Sequence, residues 1–396
     1  LNTFVRNAAR RLSSARSLPL WRLGFRPFYL LASGFAAISV ALWAVEYQAW
    51  APRSYLATPL WHAHEMLYGF TLAVMAGFLF TAVRNWTNRP TPSGGWLMAI
   101  AALWIAGRVL ILSPWGWASA FVNAAFPIAV AIGIGIPLLQ SRNRRNYFFI
   151  GLLVAIGIAA FCVHASLLLD WPLPPWLGIR LALDVVLLIM SVMSGRVIPM
   201  FTANAIPGAG SRRHLFTERA SLGSVVALAA LDLIQVEGAG LALFLMLAAT
   251  IHAVRWWLWA PLKTLRTPLV WILHAAYAWI PVYFVLRAAA TVQWIASPIA
   301  VHALTVGAIG GLTIGMMTRT AKGHTGRPLR AEPADITCYV LVLSSAALRV
   351  FGPLLVPQAY GSWILASSAL FSLGFAIYAV SYWRPLTQPR PDGKPG

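Results

Sequence analysis

The sequence predicts an all-α, polytopic integral membrane protein of about twelve transmembrane helices. Three observations carry this. Of 396 residues, 59% are apolar and only 10% are charged, where a soluble domain carries about 25% charged residues. Mean hydropathy is +0.72, so polar side chains are too few to cover a water-exposed surface. Apolar stretches close to the roughly 20 residues needed to cross a bilayer recur from end to end. The same arithmetic excludes secreted, disordered and nucleic-acid-binding classes. The net charge of +20 therefore reads as loop charge that sets membrane orientation.

Residues 1–22 carry Arg6, Arg10, Arg11 and Arg16 without an apolar run. They read as a basic cytoplasmic tail and not as a complete signal peptide; an interfacial amphipathic helix is the alternative. A transmembrane domain is expected over 23–384, followed by a short Pro-rich tail at 385–396. The first half of the domain contains apolar spans at 27–46, 61–83, 95–112, 117–139, 147–169 and 177–201. The second half contains spans at 220–236, 238–259, 269–290, 297–318, 334–355 and 361–383. The third and seventh are the shortest.

Lysine and arginine alternate between the loops. Arg84 and Arg89 follow the second span, Arg142, Arg144 and Arg145 the fourth, and Arg212, Arg213 and Arg219 the sixth. Lys263 and Arg266 follow the eighth, and Arg319, Lys322, Arg327 and Arg330 the tenth. The opposite loops hold little beyond Arg53 and, marginally, Arg287. The positive-inside rule then places both termini in the cytoplasm, with the inner membrane as the expected location. Cys162 and Cys338 fall near opposite ends of this topology, so neither a disulfide nor a Cys-x-x-Cys metal site is expected.

One internal repeat is visible. His64, Gly69, Gly77, Thr87, Arg89 and Pro90 recur at identical spacing as His302, Gly307, Gly315, Thr325, Arg327 and Pro328. Phe201-Thr202-Ala203 weakly echoes Phe80-Thr81-Ala82. Spans 2, 6 and 10 are four apart, which suggests internal repeats of four helices.

Ionisable residues inside the membrane are costly and are functional candidates by default. Imidazole is also a common ligand of haem iron and copper. His62 and His64 lie two residues apart, about 200° around a helix. Their rings point to opposite sides and suit two different sites. His302 sits at the equivalent depth of span 10, with interfacial, water-accessible histidines as the alternative for all three. His164 is near that depth, and taken alone it reads as interfacial. His252 and His274 lie on adjacent spans, each roughly 10 Å below the cytoplasmic surface at 1.5 Å per residue. They can hold one haem or copper between them, or be bonded to helix carbonyls or water. Glu65 adjoins His64, and His324 sits in a Gly-flanked turn.

Arg26, Arg108, Arg180, Asp184, Arg196 and Arg349 lie within or at the ends of apolar spans. Arg180 and Asp184, four apart, can pair on one face. Arg26 and Arg349 read as interfacial, snorkelling side chains. Arg196, three residues before Pro199, is the strongest candidate for holding a cofactor carboxylate, and Arg319 is a further candidate. Walker, GxGxxG, HExxH and GxSxG patterns are absent.

Together, Gly24-Phe25-Arg26-Pro27-Phe28, Trp61-His62-Ala63-His64-Glu65-Met66, Gly195-Arg196-Val197-Ile198-Pro199-Met200-Phe201-Thr202, His302-Ala303-Leu304-Thr305-Val306-Gly307-Ala308 and Gly323-His324-Thr325-Gly326-Arg327-Pro328 resemble the NnrS family in residues and order. The resemblance implies a haem- and copper-containing inner-membrane protein linked to protection against nitric oxide, with haem expected to be b-type. Nitric oxide would be its ligand or substrate, and the electron donor is unspecified. The expected metal ligands are His62, His64 and His302 on the periplasmic side and His252 with His274 on the cytoplasmic side. Two alternatives stand beside this. One is a twelve-helix secondary transporter; the other is a non-catalytic sensor or metal-delivery protein.

Overall fold

The computed structural model describes residues 18–49, 55–56, 58–169 and 173–393. Most of the basic N-terminal tail, 1–17, lies outside them. All regular structure among the described residues is helical. We number the rods α1 (Phe25–Ala49), α2 (Thr58–Thr87), α3 (Gly95–Leu110), α4 (Gly116–Gln140), α5 (Phe148–Leu168) and α6 (Pro175–Ala205). They continue as α7 (Leu215–Leu233), α8 (Ala239–Leu258), α9 (Pro268–Thr291), α10 (Ser297–His324), α11 (Pro333–Leu355) and α12 (Tyr360–Thr387).

Ten of these rods are long and apolar enough to cross a membrane. The other two, α3 and α7, are the two shortest spans in the sequence. At 16 residues, α3 is about 24 Å long, short of the ~30 Å hydrocarbon core. Within α7 stand Glu218, Arg219 and Asp232. It tolerates two buried carboxylates because arginines of neighbouring helices pair with them: Arg255 of α8 with Glu218, and Arg287 of α9 with Asp232. That pairing also explains why α7 starts at Leu215 rather than near 220. Even-numbered helices run toward the Arg-rich loops, which we call the basic end of the bundle. Odd-numbered helices end on the opposite side.

Two rods change helical type midway. In α2, a π-helical segment Glu65–Thr71 begins directly after His64. In α10, the π-helical segment Ala303–Gly310 begins directly after His302. The repeat seen in the sequence is therefore a repeat of backbone as well, and π segments are frequent at functional sites. The repeated glycines have matching uses. A Cβ on Gly77 would meet Phe25 and Phe28 of α1 at 3.1 Å, and one on Gly315 would meet Leu273 at 2.9 Å and Ile272 at 3.1 Å, both of α9. Helix α1 thus packs on α2 as α9 packs on α10. By contrast, α6 is α-helical from Pro175 to Ala205.

The last helix folds back onto the first. Arg26, buried at 1% exposure, donates to the carbonyls of Pro385, Leu386 and Gln388 at 3.4, 2.9 and 3.0 Å. The final carbonyls of a helix have no partners within it. Arg26 supplies them, and α12 runs to Thr387 rather than ending near 383. This corrects the snorkelling reading of Arg26. Its replacement by Leu should lower stability by roughly 3 kcal/mol, the scale of hydrogen bonds to a charged group, measured by thermal unfolding of the purified protein. Arg26→Lys should recover only part, because a point charge cannot reproduce the planar fork.

Candidate functional site

The densest buried polar cluster lies toward the opposite end from the basic loops, where the π segment of α2 faces α3, α4 and α5. Glu65 opens that segment and is 1% exposed. Its Oε1 accepts from Arg108 Nη1 of α3 at 2.7 Å. Arg108 Nη2 also donates to Asn123 Oδ1 of α4, and Asn123 Nδ2 donates to Ser119 O at 2.9 Å. The guanidinium lies over the rings of Phe35 and Trp104. Trp104 Nε1 donates to Gly69 O at 3.0 Å, which ties α3 to the π segment. Gly69 is required there, since a Cβ would come within 2.6 Å of Arg108 Nη1.

The same Glu65 oxygen is 2.8 Å from His64 Nδ1. His64 Nε2 is 3.1 Å from Nε2 of His164 on α5, and His164 Nδ1 is within hydrogen-bond reach of the Tyr55 hydroxyl. Both rings are fully buried. The protons follow from the ends inward. Glu65, already paired with Arg108, accepts, so His64 donates from Nδ1 and its Nε2 carries a lone pair. His164 donates Nε2–H to that lone pair, and its Nδ1 accepts from Tyr55. Each imidazole is therefore held at Nδ1 by an orienting partner and turns Nε2 to the other. His64 already has the tautomer of a metal-ligating histidine, Nδ1–H on a carboxylate and a lone pair on Nε2; His164 gains that tautomer when its proton moves to Nδ1 and the Tyr55 oxygen accepts it. The 3.1 Å separation suits two imidazoles sharing one small ion at ~2.0 Å each.

His62 points to the other side of α2. It stacks on Trp43 of α1 with centroids 4.0 Å apart. It lies within electrostatic reach of Arg349 of α11 and of His302. His302 donates Nδ1–H to Pro298 O at 2.6 Å, which leaves Nε2 as the free lone pair. Arg349 Nη2 donates to the Tyr360 hydroxyl at 3.1 Å. Its Nη1 is buried without a partner. Two histidines and an arginine with an open donor thus lie within electrostatic reach of one another, and the reading of Arg349, 5% exposed, as a snorkelling side chain is corrected.

The NnrS protein family model matches residues 19–390, nearly the whole chain. The chain belongs to the NnrS family. NnrS proteins are membrane proteins of the nitric-oxide response. No curated protein matches the chain.

The other NnrS motifs meet at the basic end. His324 packs on Phe25, with centroids 5.6 Å apart, and its carbonyl accepts from Arg390 Nη1 at 3.1 Å. Arg319 lies 3.8 Å over the Phe201 ring. Arg196 donates to Asn146 Oδ1 at 2.7 Å and lies over Trp86, Phe148 and Phe149. A Cβ on Gly195 would overlap the Arg255 guanidinium and come within 2.6 Å of Glu218 Oε2, so this glycine makes room for a buried ion pair.

His252 and His274 each bond to partners other than one another. His252 accepts at Nδ1 from the Tyr277 hydroxyl at 2.8 Å and donates from Nε2 to Ser221 O at 3.2 Å. Both of its nitrogens are used. His274 Nε2 donates to Thr202 Oγ1 at 2.8 Å, a hydroxyl that itself donates to Ile198 O; only His274 Nδ1 stays open. Among the described residues, no group of three or more His, Cys, Asp or Glu could hold a metal ion. The histidine clusters are therefore pairs, and their remaining contacts come from Glu65, Tyr55, Arg108 and Arg349. Sequence reading underrated His164. Its depth matched that of His64, and Arg108 inside an apolar span was the companion signal.

Arg180 and Asp184 also find partners across helices rather than each other. Arg180 Nη1 is 4.0 Å from Asp232 Oδ1 of α7, and Asp184 Oδ1 is 4.0 Å from Arg287 Nη1 of α9.

Proposed function

We propose that this chain is a haem- and copper-binding inner-membrane protein that limits nitric-oxide toxicity. Family membership supports the nitric-oxide part. The observation that carries the metal part is the His64–His164 pair, with each Nδ1 engaged and the two Nε2 atoms turned inward at 3.1 Å. These residues fit a small ion with imidazole preference, and copper is such an ion. His64 and His164 would hold it. Glu65 and Tyr55 orient the rings, and Arg108 holds the Glu65 carboxyl in place.

The His62–His302–Arg349 cluster fits a haem in its donor set. His302 Nε2 is free to ligate, His62 lies within its electrostatic reach, and the unpartnered Arg349 Nη1 is the donor that a propionate carboxylate would satisfy. The sequence has no Cys-x-x-Cys-His for covalent attachment, in keeping with the b-type haem that the family resemblance suggests. When bound, the two metals supply ligation of a diatomic gas and electron exchange. Nitric oxide is the proposed ligand or substrate, and the electron donor is a separate, unassigned partner. The protein's own residues bind and orient, while Trp43, Trp104 and Phe35 keep water from the clusters. With the basic loops cytoplasmic, both clusters lie toward the periplasm and both termini face the cytoplasm.

The test is survival. In cells lacking their own nitric-oxide defences, the wild-type chain should restore growth under a nitric-oxide donor, and His64→Ala, present at equal membrane abundance, should not. Equal protection by the variant would contradict the assignment of His64.

A further inference from the structure

A separate cluster of buried charges lies between α6, α7 and α9 and shares no residue with either histidine cluster. Asp184 of α6 and Asp232 of α7 are each 1% exposed. Arg287 of α9 donates from Nη2 to Asp232 Oδ1, lies 4.0 Å from Asp184 Oδ1, and donates from Nη1 to the Tyr283 hydroxyl at 2.8 Å. Arg180 of α6 reaches Asp232 Oδ1 only at 4.0 Å, and its side chain is 45% exposed.

The two remaining oxygens, Asp184 Oδ2 and Asp232 Oδ2, are both buried and both without a hydrogen-bond partner. The carboxyl groups lie within hydrogen-bond reach of each other. Two facing acceptors cannot satisfy one another, and two carboxylates this close cannot both stay ionised in a low-dielectric interior. One added proton resolves both problems. It makes one carboxyl group a donor to the other, and it brings the buried set of two aspartates and Arg287 to neutrality. Arg180, half exposed, cannot neutralise a fully buried charge in the same way.

We propose that Asp184 and Asp232, two buried carboxyls on one arginine, form a proton-binding site that holds one proton. Arg180 connects the pair to the aqueous phase at the end opposite the basic loops. On release, a carboxyl O–H bond breaks and the proton passes to water beside Arg180. The groups facing the pair are then Arg180 from α6, and Arg287 and Tyr283 from α9. The extra negative charge draws Arg180 inward, so the packing of α6 against α7 and α9 responds to protonation. Neither metal is needed for this site.

The experiment is infrared spectroscopy of the purified, intact protein in water and in deuterium oxide at neutral pH, with and without aspartate labelled with carbon-13 at the side-chain carboxyl. The expected result is the C=O stretch of a protonated carboxylic acid that shifts with both isotopes. It should be absent from Asp184→Asn and Asp232→Asn and unchanged in His64→Ala. The chain has five aspartates, and the label separates them from Glu65 even where a variant does not fold. Absence of the band in the wild type, a band unmoved by the label, or a band that survives both Asn substitutions would overturn the proposal.

Discussion

Replacing His64 by Ala is expected to remove copper from the purified protein, and replacing His164 by Ala to do the same. His252→Ala should leave the copper content at the wild-type level. The difference lies in how the nitrogens are used. His64 and His164 direct Nε2 at each other while Nδ1 is held elsewhere, so each loses a ligand atom with its ring. His252 spends both nitrogens on Tyr277 and Ser221. The orienting carboxylate gives a graded control. Glu65→Gln keeps the shape but weakens the hold on His64 Nδ1, and should lower copper affinity about 10–100-fold, the usual effect of removing such a partner. Copper per polypeptide and competition with a chelator measure both effects. Full copper retention in His164→Ala would remove the site.

Arg108→Met is expected to be the most destabilising single change in this region. It strands Glu65, whose side chain is 2% exposed, without its cation, and it leaves Asn123 Oδ1 without its donor. Breaking a buried pair from one side costs about 3–5 kcal/mol, because the remaining charge has no compensation. The double variant Arg108→Met/Glu65→Gln should recover most of that loss, since the charge left behind is gone. Chemical or thermal unfolding of the three variants in detergent measures the coupling. Additive losses in the double variant would show that the pair does not act as a unit.

How much of this was legible depended on whether the relevant interaction was local in the sequence. Apolar runs and alternating loop charge are local, and they located all twelve rods to within a few residues. Helix α7 was read short because its carboxylates are buried against Arg255 and Arg287, which stand on other helices. Arg26 was read as an interfacial side chain because the carbonyls it caps are about 360 positions away. The repeat centred on His64 and His302 was visible in spacing alone, but the change to π-helix that follows each of them was not. The opposite aim of His62 and His64 follows from helix geometry. The partner of His64 does not, because depth alone could not distinguish His164 on α5 from any other histidine near that end. Depth matching brought out His252 and His274 but not their hydrogen-bond partners, Tyr277 and Thr202, which stand on other turns and helices.

The central claim is that paired histidines of this NnrS chain hold haem and copper. The most direct measurement is the visible spectrum of the detergent-purified wild-type protein, oxidised and dithionite-reduced, with iron and copper quantified on the same sample. The account predicts a Soret band, sharp reduced bands and stoichiometric amounts of both metals. A colourless, metal-free protein after expression with adequate haem and copper would contradict it and leave a helical membrane protein with a buried carboxyl pair, for which substrate uptake would be the next assay.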